Sequence, residues 1–244
     1  MKVTYIDNLF PYLYKSIYIG KGSTALCFLM KNGKAIKLFK NNYEKEKLFN
    51  FFGDMVDHFS KISEIKNDTY IVPEEVLILN GNCVAYIYEY VNSKIIKKLP
   101  YNTNISLLID KYDKLEEDTF EISEKRLELH DAHDKNVLFK NEYKIIDLDQ
   151  CDYDYKDNDI FKYNMLKINN TIIRGLFGVP PYKEIDFYNI NLNELYRKTI
   201  HSDYLKIKEL FKELESFGIS TKKDVRINKK KLIYTRINDY YKID

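Results

Sequence analysis

Apolar and polar residues alternate over residues 12–40, and small-residue turns interrupt the alternation. A period of two residues is typical of half-buried β-strands. One turn lies at residues 20–24, and a second contains the Asn32-Gly33 pair, a strong hairpin signal. We therefore predict consecutive antiparallel strands in this part of the chain.

A helix and a second hairpin follow. Residues 43–62 place apolar side chains at helical spacing, which predicts an amphipathic helix. Two apolar runs, 76–79 and 83–88, flank an Asn-Gly-Asn turn at 80–82 and predict two more strands. The order of strands, helix and strands indicates a small lobe that ends near Val91.

The rest of the chain has a mostly helical pattern. Helical periodicity occurs over residues 104–117, 159–177 and 192–217, and a Gly-Val-Pro-Pro break follows the second of these segments. Two short apolar runs, 136–139 and 143–147, predict a pair of strands within this helical part.

These elements predict an α+β protein of two lobes. The N-lobe, residues 1–91, combines a small antiparallel sheet with one helix, and the C-lobe, residues 92–244, is mostly helical. The length of 244 residues fits one large domain or two small lobes, and a hydrophobic content of 45% is enough for a buried core.

Composition narrows the classes of function. The 39 basic and 37 acidic residues give a net charge of +2, which argues against a nucleic-acid partner. The basic stretch at 222–231 is typical of a solvated surface. No apolar run is as long as a membrane span, and the first residues do not resemble a signal peptide. The three cysteines lack paired spacing, so we expect a cytoplasmic protein without a membrane partner.

The first candidate for chemistry is the turn that contains Gly20, Gly22 and Ser23. Glycine lets the backbone approach phosphate oxygens closely and leaves its N–H groups free to bind an anion. An ordinary hairpin turn is the alternative interpretation.

Lys37 is the second candidate, because it lies within an apolar strand. An unpaired buried charge is costly, so the ammonium group requires phosphate oxygens or a carboxylate. The following helix contains Glu44 and Glu46, and we favour Glu46 because the helix becomes apolar directly after it. A lysine that extends to solvent is the alternative.

Further candidates flank the two C-lobe strands. Asp131 and Asn136 are five positions apart and precede an apolar strand, whereas Asp147 and Asp149 follow an Ile-Ile pair. Phosphoryl transfer uses a carboxylate to orient and deprotonate the attacking hydroxyl, together with oxygen ligands for Mg²⁺. Each aspartate alone would also fit a turn or a cap.

In this order, the motifs resemble those of the protein-kinase-like superfamily, which includes protein kinases and the aminoglycoside and choline kinases. The resemblance covers roughly residues 15–150 and implies a bilobal fold that binds ATP and Mg²⁺. The residues that it assigns to ATP are Gly20, Gly22, Ser23, Lys37, Glu46, Glu89 and Val91. Among them, Lys37 would contact the α- and β-phosphates, and the strand ending at Val91 would bind adenine.

The resemblance also implies the catalytic and metal-binding residues. Asp131 would accept the proton of the acceptor hydroxyl, and His133 would lie near the γ-phosphate. Asn136 and Asp147 would hold Mg²⁺. Asp149 would be either a ligand of a second metal ion or a residue that supports the ligands of the first.

The sequence departs from the protein-kinase pattern at several positions. Leu129-His130-Asp131 replaces His-Arg-Asp, and the Asp-x-His-x-x-Asn spacing resembles that of the small-molecule kinases. However, the interval between Val91 and Asp131 lacks room for the helical insertion typical of those kinases. We therefore expect ATP-dependent phosphorylation of a protein Ser or Thr hydroxyl, with a small-molecule hydroxyl as the alternative. A pseudokinase that binds nucleotide or acts as a scaffold is the competing class.

Overall fold

The structure is a computed structural model, and the protein is α+β, with a mixed six-stranded sheet and several helices. The residues that it describes are 1–22, 24–40, 55–133, 135–153, 160–178, 186–187, 190–191 and 206–228. They divide into two compact units. Unit 1 comprises Met1–Asn92 and Ile146–Asp152, and unit 2 comprises Ser93–Ile145 and Tyr153–Asp244.

Unit 1 is built on the six-stranded sheet, whose strands have the spatial order β1-β5-β6-β4-β3-β2. The strands are β1 Lys2–Ile6, β2 Ile17–Lys21, β3 Ala25–Leu29, β4 Lys34–Phe39, β5 Pro73–Leu79 and β6 Asn82–Glu89. β2 to β6 pair as antiparallel neighbours, as the alternation and turn signals predict.

The prediction of a purely antiparallel sheet was wrong, because β1 pairs with β5 in parallel, with Val3 opposite Val76. The side chains of Lys2 and Thr4 both donate hydrogen bonds to Glu75 on the neighbouring strand. Most of β1 is exposed at the sheet edge. An edge strand with little burial has no strict apolar alternation, which is why the pattern did not reveal it.

Two hairpin turns in unit 1 fix the register between the strands that they connect, β3 with β4 and β5 with β6. Asn80 and Gly81 both have positive φ angles, 51° and 74°, as a two-residue type I′ turn requires. Gly33 has a φ angle of 83° and closes a three-residue loop after Met30. Both turns lie where the sequence predicts them.

In the described residues of unit 1, two helices accompany the sheet, α1 Phe10–Leu13 and α2 Met55–Ile62. Leu9, Tyr12 and Leu13 pack against a core cluster that includes Ile36 and Leu77. α2 forms the described end of the helix expected at 43–62, and the earlier residues of that helix lie outside the described part. The prediction of a single N-lobe helix did not include the one-turn α1.

Unit 2 is mostly helical. Its helices and strands in the described residues are α3 Ile105–Asp110, α4 Tyr112–Glu124, α5 Ile160–Phe177, α6 Lys206–Ser216, a helix α7 over 222–228, and the short strands β7 Lys94–Ile95, β8 Val137–Phe139, β9 Tyr143–Ile145, β10 Asp186–Phe187 and β11 Ile190–Asn191. β7, β8 and β9 form a three-stranded sheet, and β10 pairs with β11.

The helix predicted at 104–117 is interrupted and longer than expected. The Asn104 side chain caps α3 by accepting a hydrogen bond from the backbone of Ser106. The chain then breaks at Lys111 before α4 continues to Glu124. Helical spacing alone does not reveal a one-residue break, because the apolar positions on both sides keep the same period.

The basic stretch at the start of α7 is not simply a solvated surface. Lys222 is buried, and its ammonium group donates to the backbone oxygens of Lys97 and Leu99, at 2.8 and 2.6 Å. Arg226 donates to the backbone oxygens of Gly175 and Leu176 at the end of α5. Both cations therefore satisfy helix-end carbonyl groups within unit 2.

The segment Ile146–Asp152 belongs to unit 1, whereas the predicted boundary assigned it to the C-lobe. Its short 3₁₀ helix, Leu148–Gln150, packs against α2. This non-local contact cannot be read from a division of the chain into consecutive segments.

None of the helices in the described ranges is both long and apolar enough to cross a membrane.

Candidate functional site

Lys37 lies at the centre of the unit 1 sheet, where β4 pairs with β3 on one side and β6 on the other. Its register partners are Cys27 and Tyr86. Adjacent strand residues point to opposite faces, so Ile36 enters the core cluster and Lys37 points to the other face. Although it is charged, Lys37 is only 4% exposed.

Two aspartates surround the Lys37 ammonium group. The two carboxylate oxygens of Asp149 lie 3.0 and 2.9 Å from Lys37 Nζ, and Asp147 forms a second ion pair with the same group. The Tyr86 hydroxyl lies 3.5 Å from Asp147 Oδ1, and its ring centroid lies 5.7 Å from Lys37 Nζ. The structure thus brings together three residues that the sequence singled out separately.

Opposing effects determine the protonation of this cluster. Burial alone would lower the pKa of Lys37, but the charges of Asp149 and Asp147 together raise it, so the ammonium stays protonated. Burial raises the pKa of Asp149 to about 7, Lys37 opposes this shift, and Asp147 adds to it. One ammonium and two carboxylates therefore share a largely buried site, which favours a further positive charge when both carboxylates are ionised.

Asp147 and Asp149 differ in backbone and exposure. The φ angle of Asp147 is 69°, in the left-handed region that non-glycine residues seldom occupy. Its side chain is 31% exposed, whereas that of Asp149 is 2% exposed. Strained backbone that persists in a folded protein is characteristic of functional positions. Asp147 is thus the carboxylate of the pair that a ligand in solution can reach.

Helix α2 contacts this cluster through His58. The imidazole of His58 is buried and hydrogen-bonds to the backbone of Asp149. Burial lowers the pKa of His58 to about 4, and the hydrogen bond to Asp149 only partly opposes this effect. The sequence analysis missed His58, because it lies on the buried face of an amphipathic helix without a recognisable motif.

The glycine-rich turn connects β2 and β3. Gly20 pairs with Cys27, and the backbone N–H of Gly22 donates to the carbonyl of Ala25 at 2.9 Å. A Cβ atom added to either glycine would meet no atom within 4 Å, and neither has a positive φ angle. Internal packing therefore does not require glycine here, and close approach of a ligand to the backbone would explain it.

Of the remaining residues that the sequence assigned to ATP binding, some lie in the described part of the chain and others do not. Glu89 is exposed at the end of β6, opposite Lys34, and Val91 follows it near the end of the first segment of unit 1. Ser23, Glu44 and Glu46 lie outside the described residues, so the proposed Lys37–Glu46 pair stays a prediction.

In unit 2, Asp131 is held by two neighbours in its own loop. His133 Nε2 lies 3.2 Å from Asp131 Oδ1. The Asn136 amide nitrogen lies 2.8 Å from the Asp131 backbone oxygen and 3.3 Å from Asp131 Oδ2. Each carboxylate oxygen of Asp131 thus has a side-chain nitrogen close to it, which restricts rotation of the carboxylate.

The hydrogen bonds of His133 define its tautomer. Its Nδ1 accepts a hydrogen bond from the backbone N–H of Lys135 at 3.1 Å. A neutral imidazole has one donor and one acceptor nitrogen, so Nε2 carries the proton, and it lies 3.2 Å from Asp131 Oδ1. His133 therefore acts on the carboxylate of Asp131, a contact that the sequence analysis did not predict.

Three side chains on one face of α5 hold the loop that contains Asp131. Asn164 accepts from the backbone N–H of Leu129 at 2.8 Å and donates to the carbonyl of Leu127. Lys167 donates to the carbonyl of Leu129, and Thr171 donates to that of Ala132, at 2.8 and 2.9 Å. The spacing of three and four residues places them on one face of the helix. The sequence analysis missed them, because polar residues at helical spacing usually indicate a solvated face.

Glu128 was also missed. It is 1% exposed, with its Oε1 3.6 Å from His130 Nδ1 and 4.0 Å from Lys167 Nζ. It lies between two buried leucines, where alternation would place it in solvent. Buried charge next to the Asp131 loop is therefore a feature that only the structure reveals.

Asn136 in unit 2 and Asp147 in unit 1 each carry a side-chain oxygen of the type that binds Mg²⁺. Because Asn136 directs its amide nitrogen to Asp131, its amide oxygen is oriented differently and suits a hard cation. Asp147 offers an accessible carboxylate beside a second buried carboxylate. No group of three or more His, Cys, Asp or Glu side chains arranged for a metal occurs in the part of the chain that the structure describes.

Comparison with models of known protein families finds no match for this chain. Comparison with curated proteins finds no significant match either. The functional assignment therefore depends on the residues and distances described above.

Proposed function

We propose that this protein is an ATP- and Mg²⁺-dependent phosphotransferase with a fold of the protein-kinase-like type. The observation that carries the proposal is that Lys37 forms ion pairs with Asp147 and Asp149, which are 110 and 112 positions further along the chain. The motifs independently relate Lys37 and Asp147 to phosphate and metal binding. The order of glycine turn, strand lysine, Asp131–Asn136 loop and Asp147 supports the same chemistry.

The unit 1 residues bind the nucleotide in this proposal. The open backbone of the turn at Gly20 and Gly22 covers the phosphates, and Lys37 neutralises charge on the α- and β-phosphates. The backbone between Glu89 and Val91 binds adenine. Because Lys37 is already paired and fully charged, it requires no proton transfer to interact with phosphate.

Asp131 is the residue that receives the proton. As the acceptor oxygen forms its bond to the γ-phosphorus, the bond between that phosphorus and the β,γ-bridging oxygen breaks, and ADP leaves with the bonding electrons. The hydroxyl proton passes to Asp131, whose carboxylate His133 and Asn136 hold in place. Most of the rate acceleration then comes from positioning and charge neutralisation.

Asn136 and Asp147 are the residues that would hold Mg²⁺. When bound, the metal neutralises charge on the phosphate oxygens and orients them for transfer. Asp147 is accessible, and the negative excess of the Lys37 cluster favours a cation at this carboxylate.

The acceptor is a protein Ser or Thr hydroxyl in this proposal, because the interval between Val91 and Asp131 contains only short elements and one longer helix, α4. A small-molecule hydroxyl is the second candidate. The observation that favours it is the contact between His133 and Asp131, which gives a function to the histidine of the Asp-x-His-x-x-Asn spacing.

Nucleotide binding is the first test. ATP with Mg²⁺ is expected to raise the melting temperature of the wild-type protein, and Asp147→Asn is expected to lose the Mg²⁺-dependent part of this increase. Asp110→Asn, which removes an exposed carboxylate, is the matched control. An identical ATP and Mg²⁺ response in wild type and Asp147→Asn would refute the metal assignment. Stabilisation by ATP without turnover of any acceptor would favour the pseudokinase.

A further inference from the structure

We propose that Asp149 is the positioning residue for Lys37, and that Asp147 and Asp149 have separate tasks. The inference rests on the proposed function, in which Lys37 contacts phosphate. Both carboxylate oxygens of Asp149 accept hydrogen bonds from the same ammonium group, at 3.0 and 2.9 Å. The side chains of Lys37 and Asp149 are 5% and 2% exposed. Asp149 is therefore oriented toward Lys37 rather than toward a ligand in solution.

Asp147 differs in the respects that matter for ligand binding. It pairs with Lys37, but about a third of its side chain is accessible and its backbone is left-handed. A lysine on a flexible four-carbon stem needs a fixed partner to keep its ammonium group in place. Asp149 supplies that partner, which leaves Asp147 able to exchange Lys37 for a cation.

The position of Asp149 is itself fixed by α2. His58, buried on that helix, hydrogen-bonds to the Asp149 backbone, and α2 packs against the 3₁₀ helix that contains Asp149. On the other side, the ring of Tyr86 lies beside Lys37, and its centroid is 4.9 Å from that of Phe59 of α2, with the two rings tilted by 49°. Helix α2 thus contacts the segment that contains Asp149 and, through Tyr86, the surroundings of Lys37.

A double-mutant cycle on the protein without nucleotide tests the pair directly. Lys37→Met leaves the buried Asp149 carboxyl without its cation, and Asp149→Asn leaves the buried Lys37 with Asp147 as its remaining ion pair. We expect each to lower the melting temperature by about 10 °C. The melting temperature of the double variant should fall by clearly less than the sum of the two single-variant decreases. Lys37→Met with Asp147→Asn is the matched comparison, and its coupling should be weaker because Asp147 is more exposed. Additive decreases in melting temperature for Lys37→Met and Asp149→Asn would overturn the proposal.

ATP binding at graded Mg²⁺ concentrations separates a positioning residue from a metal ligand. We expect Asp149→Asn, like Lys37→Met, to weaken ATP binding about tenfold at every Mg²⁺ concentration without moving the Mg²⁺ midpoint. Asp147→Asn should raise that midpoint about tenfold or more. A raised midpoint for Asp149→Asn would overturn the proposal. If the wild type does not bind ATP, the proposed function fails, and the double-mutant cycle still decides the role of Asp149.

A measurement on the wild type covers the case in which the variants do not fold. The Lys37 ammonium group has bonds to both aspartates in a buried site. Its ammonium hydrogens should therefore exchange slowly with water. The ¹⁵Nζ nucleus should also show scalar coupling to the Asp149 carboxylate across the hydrogen bonds. An ammonium signal that exchanges as fast as those of surface lysines would refute the pairing.

Discussion

At the scale of single residues, the contact between His133 and Asp131 makes the most specific prediction about the reaction. His133→Leu removes the imidazole nitrogen that lies 3.2 Å from Asp131 Oδ1, and we expect kcat to fall about 10- to 100-fold with KM for ATP unchanged. His133→Gln keeps an amide N–H near the position of Nε2 and should restore much of kcat. Steady-state kinetics with both variants measures this difference. Equal losses in both, or a change confined to KM, would contradict orientation of Asp131 by His133.

His58 makes folding stability depend on pH. Its pKa is 6.5 in the unfolded reference and about 4 in the folded protein, so the folded state favours neutral imidazole. Its contribution is complete above pH 6.5 and is lost as the pH falls toward 4, by about 3 kcal/mol in all.

Urea denaturation between pH 7 and 4 measures this loss. His58→Leu should show a shallower pH dependence than the wild type, because it removes the group whose pKa burial lowers. Identical slopes for wild type and His58→Leu would show that His58 does not titrate as described.

The candidate site could be predicted only in part from single residues. Lys37 was recognisable because a charged side chain among apolar strand residues needs a partner. That Asp149 is a partner could not be predicted, because it lies 112 positions away and its burial depends on tertiary contacts with α2. His133 was recognised from spacing, but its tautomer depends on a backbone hydrogen bond from Lys135.

At the scale of elements, Gly175 allows α5 to approach the 3₁₀ helix at Ile96–Lys98. A Cβ at residue 175 would lie 2.7 Å from Ile96 Cβ and 3.1 Å from the Lys97 backbone nitrogen. Alanine usually stabilises a helix relative to glycine, but overpacking should dominate here, and we expect Gly175→Ala to lose about 1–3 kcal/mol. Urea denaturation measures the change, with Asn170→Ala on a partly exposed position of α5 as control. A stabilised Gly175→Ala variant would contradict this packing.

Elements with strong local signals could be predicted, and those without them could not. The turn at Asn80-Gly81 depends on local chemistry, and it occurs as predicted. β1 has mostly exposed residues and pairs in parallel with a strand about 70 residues later. The helix break at Lys111 does not change the apolar period, so the pattern contained no evidence for it.

At the scale of the whole molecule, the main difference from the prediction is the return of Ile146–Asp152 to unit 1. The order of elements along the chain predicted an α+β protein, and the predicted boundary assigned Asp147 and Asp149 to the C-lobe. The basic stretch at 222–231 also differs from the solvated surface that its sequence predicts, because Lys222 and Arg226 donate hydrogen bonds to backbone carbonyl groups within unit 2. Two of its cations are thus committed internally, which further weakens the nucleic-acid interpretation.

Transfer of labelled γ-phosphate from ATP is the most direct test of the proposed phosphotransferase. The wild type, Asp131→Asn and the control Asp110→Asn are incubated with Mg²⁺ and candidate proteins, or with a panel of amino-alcohols, sugars and aminoglycosides. Calorimetry measures ATP binding in parallel. We predict label on an acceptor for the wild type and the control, at least about 100-fold less for Asp131→Asn, and similar ATP binding by all three. Equal transfer by the wild type and Asp131→Asn would contradict the assignment of Asp131 and, with it, the proposed reaction.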